Sequence, residues 1–220
     1  MHGSRSFGHA RGGALALALA AAALAGCMPA PPTGRAASYQ WIARAPLRVE
    51  VPPGAPAITQ EPRPASREMG EGHEGIDIAA AEGHPVLAPA PGRVVAAPTD
   101  GLYGRQLVID HGPDGAGGRW FTRYFHLSAR SVRPGQRVAR GERIGAMGRT
   151  GALAGGFVHL HFELRRGRDP ARSEWVDPNR HWAGGPGRVV CWRPGLALPD
   201  RGPDGAPLLT YPVACGGGAE

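Results

Sequence analysis

The chain has 220 residues, enough for one good-sized domain with tails or for two small domains. Its hydrophobic content of 42% is that of a globular protein, while 35 glycines and 23 prolines favour short strands joined by turns over helices. All 25 basic residues are arginine and the formal net charge is +7, which favours acidic polymers or anionic surfaces as partners. Because no basic run carries interleaved aromatic residues, the composition argues against nucleic-acid binding.

Residues 1–26 have the pattern of an export signal. Two arginines precede an apolar run, residues 14–25, that is too short to span a membrane. The run ends in Leu24-Ala25-Gly26-Cys27, which resembles a bacterial lipobox. The resemblance implies that Cys27 is lipidated and becomes the mature N-terminus; an ordinary signal peptide with a fortuitous cysteine is the alternative. Met28 resembles the second residue of lipoproteins sorted to the outer membrane of Gram-negative bacteria.

Residues 27–67 are rich in Pro, Ala and Gly, a composition typical of a tether. Within them, residues 47–51 alternate and predict a short strand packed on the domain. Residues 68–182 tighten into short alternating segments separated by turn residues, with His84 and His111 expected at turns. Many short strands at this spacing predict an all-β fold, a compact antiparallel sandwich or barrel. The predicted strands lie within 76–78, 85–89, 92–96, 105–110, 120–127, 132–138, 141–145 and 157–164.

Residues 183–220 are again rich in Gly and Pro and form a C-terminal extension. Setting Cys27 aside leaves Cys191 and Cys215, an even pair that is expected to form a disulfide in an oxidising compartment. Two short apolar segments, residues 189–192 and 208–213, predict a hairpin that this disulfide would clip. The extension shows no functional motif.

Residues 157–164 alternate strictly, so the apolar side chains face a core while His159, His161 and Glu163 share the other face. Two imidazoles at this spacing can hold one metal ion, or can serve as one ligand and one proton-transfer group. An edge strand with incidental histidines is the alternative interpretation. Glu163 either orients a ligand from behind or is a solvated carboxylate at the strand end, and the pattern does not decide between these roles.

A catalytic zinc site needs three protein ligands and a position open for water. His73 and Asp77 supply an imidazole and a carboxylate four residues apart, a pair that alone would be an ordinary surface turn. With His161 they complete a set that keeps zinc Lewis-acidic and activates its water near neutral pH. The sequence therefore predicts one Zn²⁺ per chain.

Several motifs in this order resemble the lysostaphin/LytM-type zinc endopeptidases, which cut peptide cross-bridges or stems of bacterial peptidoglycan. They are His73-x-x-x-Asp77, Tyr124-Phe125-His126-Leu127, His159-Leu160-His161-Phe162-Glu163 and the Gly-Gln-x-Val-x-x-Gly-Glu-x-Ile-Gly pattern at 135–145. The resemblance covers residues 69–179 and implies a LytM-like β-fold. It also implies that His73, Asp77 and His161 are zinc ligands and that His159 is the catalytic histidine, with His126 as its partner.

The resemblance does not say whether His126 or His159 is the general base. It also breaks at residues 152–157, where the loop before His159 is longer than in the family, so substrate preference does not carry over. The expected function is zinc-dependent hydrolysis of peptidoglycan by a lipid-anchored protein, at the outer membrane and facing the periplasm. The alternative is a non-catalytic lipoprotein that binds and activates a cell-wall amidase; such relatives typically lack zinc ligands, which this chain keeps.

Overall fold

A computed structural model describes residues 47–66 and 71–216. Its regular structure consists of short β-strands and three 3-10 helices of three residues each, so the predicted all-β class is confirmed. No helix within these described ranges is long and apolar enough to cross a membrane. The predicted signal peptide and Cys27 lie outside the described residues. The strands are β1 (Ala57–Gln60), β2 (Ile76–Ala79), β3 (Pro85–Leu87), β4 (Gly92–Ala96), β5 (Thr99–Asp100), β6 (Gly104–Pro113), β7 (Arg119–Leu127), β8 (Ala129–Arg130), β9 (Arg137–Val138), β10 (Arg143–Ala146), β11 (Leu160–Gly167) and β12 (Ser173–Val176).

The strands form two antiparallel sheets. The larger sheet has nine strands in the order β1-β2-β11-β7-β6-β4-β9, with β12 added to β11 and β5 to β6. The smaller sheet has the order β3-β10-β8. The predicted strands at 85–89 and 92–96 therefore belong to different sheets and do not form a hairpin. Apolar side chains from both sheets, such as Ile78 and Ile144, join one hydrophobic cluster.

β11 lies between β2 and β7 and shows the predicted alternation. Leu160, Phe162 and Leu164 are fully buried, while His161 between them faces the groove described below. β11 begins three residues later than the predicted strand, and His159 precedes it in an isolated bridge to Gly148. Burial of the apolar side chains on one face of β11 therefore fixes the position of His161 on the other face.

Residues 47–66 pack against the domain. This agrees with the packing predicted for 47–51, where an isolated bridge at Glu50 replaces the predicted strand, and it corrects the predicted tether at 27–67 for residues 52–66. Ile58 of β1 pairs with Ile78 of β2, and Val49 and Val51 pack on the core. The bulk composition of the segment is that of a linker, but its few alternating apolar residues are spaced to cover a sheet edge.

The C-terminal extension completes the core instead of forming the predicted hairpin. Leu209 bridges Trp182 and Val213 bridges Val86, and all four side chains are buried. One hydrogen bond joins the two predicted hairpin segments, and a disulfide connects Cys191 to Cys215. Apolar residues at every second position reach the core here even though glycine and proline dominate the surrounding sequence.

His111 lies inside β6 and is buried, although the sequence predicts a turn there. Its Nδ1–H donates to the Pro91 carbonyl oxygen at 2.8 Å, and its Nε2 lies 2.8 Å from the Thr122 hydroxyl. That hydroxyl lies 2.8 Å from the Tyr124 hydroxyl, so the chain of buried polar groups is satisfied with a neutral imidazole. Burial lowers the pKa of His111 from its ordinary 6.5 to about 4.

We expect this histidine to make the fold acid-sensitive. Between pH 6.5 and pH 4 the unfolded chain binds a proton at His111 that the folded chain does not, so folding stability falls as pH falls through this window. The loss attributable to His111 is about 3 kcal/mol. Urea unfolding of wild type and His111→Gln across this range should show the variant less stable at pH 7.5, with the gap narrowing by that amount towards pH 4. A gap independent of pH would contradict the assignment.

Candidate active site

Three donor atoms from two neighbouring strands converge on one point. Asp77 of β2 stands directly opposite His161 of β11, and His73 precedes β2 by one short turn. Asp77 Oδ1 lies 2.8 Å from His161 Nδ1 and 3.1 Å from His73 Nε2, and the two ring nitrogens lie 3.0 Å apart. Antiparallel pairing puts directly opposite residues on the same face, which brings the carboxylate and the imidazole together.

The second ring nitrogen of each histidine is held by an oxygen acceptor. His73 Nδ1–H donates to the Glu61 carbonyl oxygen at 3.0 Å, and His161 Nε2–H donates to Glu163 Oε1 at 3.3 Å. These bonds leave the remaining nitrogen of each ring to point its lone pair at the shared centre, as in ligating histidines of metal sites. Two lone pairs and a carboxylate at such distances repel each other unless a cation lies between them.

The electrostatics of the site also favour a cation. Burial lowers the pKa of His161, but its hydrogen bonds to Asp77 and Glu163 outweigh this and raise the pKa to about 9. Burial raises the pKa of Asp77, but the hydrogen bonds from His161 and His73 hold it well below its ordinary range. Without a metal, a proton on His161 supplies the positive charge, and a metal ion would replace that proton. Two imidazole nitrogens and one carboxylate oxygen, open to a groove, fit catalytic zinc.

His126 and His159 lie beside the three donors. Their ring centroids are 4.8 Å apart, and His159 Nε2 is 3.9 Å from Asp77 Oδ1. Each ring donates its Nδ1–H to a backbone carbonyl, His126 to Thr150 at 2.9 Å and His159 to Phe157 at 3.2 Å. Both rings therefore keep Nε2 available to accept a proton. Burial lowers the pKa of His126, which favours its neutral form.

His126 adopts a strained backbone conformation that the sequence did not predict. Its φ of 61° is in the left-handed region, and it is the one residue other than glycine with positive φ in the described part of the chain. Hydrogen bonds to Tyr103 and Thr150 hold this conformation on both sides. Strain of this kind costs about 1–3 kcal/mol and concentrates at functional sites. Here it turns the end of β7 so that the imidazole meets His159.

Glu163 is a buried member of the site, so the solvated carboxylate considered from the sequence does not describe it. The residue is 5% exposed, and Arg165 Nη1 donates to its Oε2 at 2.9 Å. Arg123 Nη1 lies 3.5 Å from the same oxygen. Burial raises the pKa of Glu163, but the hydrogen bond from His161 and the charges of the two arginines bring it below its ordinary value. The ionised carboxylate of Glu163 therefore orients the His161 ring.

The three donors, the two further histidines and Glu163 line one open groove of about 530 Å³. The groove has further lining residues that sequence reasoning missed. Arg63 lies within the predicted tether. Trp175 belongs to no motif, and it is set opposite Arg165 by the pairing of β12 with β11, a strand that the sequence did not predict. Leu153 comes from the loop at 152–157, where the family pattern breaks, and the missed residues are Gln60, Arg63, Tyr103 and Trp175.

The sequence profile of peptidase family M23 matches residues 71–178. These residues form an M23 peptidase domain. The family predicted from the motifs is therefore confirmed. The matched range contains His73, Asp77, His126, His159 and His161.

Curated relatives of the M23 domain fall into two kinds. The peptidoglycan DD-endopeptidase ShyA of Vibrio cholerae is 43% identical over 92 residues, which are 42% of this chain and 20% of ShyA. The murein hydrolase activator NlpD of Escherichia coli is 38% identical over 96 residues, 43% of this chain and 23% of NlpD. The chain thus spans about a fifth to a quarter of the length of these relatives.

Solved structures similar to the M23 domain include a zinc-containing peptidase from Vibrio cholerae. It has a TM-score of 0.47 at 32% identity, and the match covers 61% of this chain and 39% of that one. The catalytic domain of lysostaphin from Staphylococcus simulans has a TM-score of 0.45 at 28% identity, over 56% of this chain and 89% of that domain.

Replacing Glu163 with Gln should weaken zinc binding about 10- to 100-fold, because the acceptor that fixes the His161 tautomer loses its charge. Competition with a fluorescent zinc chelator measures the affinity. The matched control is Glu142→Gln, since Glu142 also accepts hydrogen bonds but sits at the turn before β10, outside the groove. Equal zinc affinities for wild type and Glu163→Gln would show that Glu163 does not act through the metal site.

Proposed function

We propose that this protein is a zinc-dependent endopeptidase that hydrolyses peptide bonds in the cross-links or stem peptides of bacterial peptidoglycan. The observation that carries the proposal is the complete three-donor set of His73, Asp77 and His161, open to a groove beside two further histidines. A complete open set of this kind has no structural purpose, since structural zinc sites are closed by a fourth protein ligand. The similarity to ShyA, a peptidoglycan DD-endopeptidase, supports this choice of substrate.

His73, Asp77 and His161 would hold the zinc ion, which when bound would polarise the scissile carbonyl and activate a water molecule. The proton transfers belong to the other two histidines. His159 is near the donor set, and its Nε2 can accept the proton of the attacking water. Burial lowers the pKa of His126, which lies beside His159, so its ring can stabilise the charged ring of His159 and relay the proton to the leaving amine. Thr150 and Phe157 hold both rings in this orientation.

The second candidate is a protein that binds and activates a cell-wall amidase without cutting peptidoglycan itself. The similarity to the murein hydrolase activator NlpD favours it. Against it stands the complete donor set beside two further histidines, because a binding role does not need such a set. The two candidates differ in one measurable respect, which is release of soluble fragments in the absence of any other enzyme.

We expect residues 28–220, produced without the lipid and loaded with Zn²⁺, to release soluble fragments from purified sacculi. A chelator should stop the release, and added Zn²⁺ should restore it. His161→Ala should lose both zinc and activity, whereas His159→Ala should keep one zinc per chain and lose at least a hundredfold in rate, because it removes a proton-transfer group. Chromatography of the fragments and metal analysis measure these outcomes.

Release that persists both with chelator and in His161→Ala would refute the zinc mechanism. Absence of release from every sacculus, with one zinc bound per chain, would favour the activating role. Adding a purified amidase then decides that role, since an activator should raise amidase turnover while His159→Ala should leave the stimulation intact.

We also propose that the chain is exported and lipid-anchored through Cys27, at the outer membrane and facing the periplasm. The lipobox-like end of the signal supports this, and acyl chains contribute about 0.8 kcal/mol per buried methylene to membrane binding. Anchoring would limit how far into the wall the groove can reach.

Labelled palmitate should be incorporated into the wild-type protein in cells and not into Cys27→Ala, because the thiol is the site of acylation. Cys191→Ala is the matched control and should retain the label. Equal labelling of wild type and Cys27→Ala, or no labelling of either, would contradict lipidation.

A further inference from the structure

Arg63 is a groove residue that neither the donor set nor the two histidines require. Its backbone N–H donates to the His73 carbonyl oxygen at 2.9 Å, and His73 N–H donates back to Arg63 at 2.8 Å. Residues that exchange both hydrogen bonds stand directly opposite each other, with Cα atoms about 5.5 Å apart and side chains on one face. Arg63 therefore projects from the same face as a zinc-ligand candidate, within about two residues' length of the metal centre.

The backbone that presents Arg63 is rigid. Pro62 and Pro64 flank it and are both buried, and a residue before proline is confined to extended conformations. The preceding residue, Glu61, holds His73 through its carbonyl oxygen and accepts a hydrogen bond from Asn179 Nδ2 at 2.6 Å through its side chain. Arg63 thus approaches the groove from a fixed position, which reduces the entropy lost when it binds a partner.

The charge of Arg63 is uncompensated, in contrast to the other arginines near the site. Arg165 contacts Glu163 and Glu74 at 2.9 and 2.8 Å, and Arg123 contacts Glu163. Within the described residues, Arg63 has neither an ion pair nor a side-chain hydrogen bond, although it is half-buried in the groove wall. A planar guanidinium in this state matches a carboxylate in two parallel hydrogen bonds.

The surrounding wall favours a single carboxylate over a polyanion. Glu71 lines the same groove and is exposed, and Glu74, although paired with Arg165, is half-exposed. A long anionic polymer laid along this wall would meet like charges, which costs affinity. A single carboxylate needs only one cationic partner, and Arg63 supplies it.

We propose that Arg63 determines substrate specificity by binding a free carboxylate of the peptide within two residues of the scissile bond. This inference rests on the proposed function, because it names the chemistry of the substrate at the same groove. The carboxylate is a feature of the substrate that amidation would remove without changing its shape.

The test compares a cross-linked muropeptide dimer whose carboxylates at the cross-link are free with the same dimer in which they are primary amides. Binding is measured by isothermal titration calorimetry on the full-length, zinc-loaded chain. This chain carries His159→Ala, because that substitution prevents turnover during the measurement. We expect the free-acid dimer to bind about 10- to 100-fold more tightly than the amide. Adding Arg63→Gln should reduce this ratio to about one, while Arg63→Lys should keep part of it because lysine retains charge but not the planar fork.

Arg133→Gln is the matched control, since Arg133 is an exposed arginine in the turn before β9, at the sheet edge farthest from β1. It should leave the ratio unchanged. A ratio near one in the His159→Ala chain with Arg63 intact, failure of both dimers to bind, or a ratio that survives Arg63→Gln would overturn the inference. Binding is measured without hydrolysis, so inactivity on sacculi with an Arg63-dependent ratio would refute the peptidase and leave the carboxylate site. Fragment release from sacculi without an Arg63-dependent ratio of affinities would support the peptidase and refute the carboxylate site.

Discussion

Asp77 and His161 stand opposite each other because β2 and β11 pair in one register. That register is set from the other face of the sheet, where Ile76, Ile78 and Phe162 are fully buried. A slip of one residue would exchange the two faces, exposing the apolar side chains and burying the ligands. The three-donor site is thus specified by hydrophobic burial on the opposite face of the sheet, and its polar residues occupy the positions that the core leaves on the groove side.

A second layer of charge holds this arrangement together. Glu163 is the acceptor for His161 and is itself surrounded by Arg165 and Arg123, whose guanidinium also lies 5.0 Å from the Phe125 ring centroid. A buried charged group is stable only when it is paired with an opposite charge, and removing one member of the pair leaves the other charge uncompensated. The donor set, its orienting carboxylate and the two arginines are therefore coupled electrostatically, and a change in one of them affects the others.

Motif spacing and strand alternation predicted the class of fold, the family and the residues that meet in the groove. β7 spans Arg119–Leu127 where the sequence indicates 120–127, because a long half-buried strand has a strong period. Reasoning failed where composition hid a few decisive residues, as at Ile58 and Arg63 in an apparent linker. It failed also at His126, whose positive φ depends on hydrogen bonds from two distant loops that no local pattern encodes.

The two ends of the described chain meet on the same core. Tyr211 donates its hydroxyl proton to the Pro56 carbonyl oxygen at 2.7 Å, and the disulfide at Cys215 lies four residues further on. The interior is therefore complete only when Leu209, Tyr211 and Val213 have packed into it, far along the chain from the strands that they cover. The thiols that lock that closure pair only where the environment is oxidising. Without that bridge, the closing segment would be held to the core by apolar burial and hydrogen bonds alone.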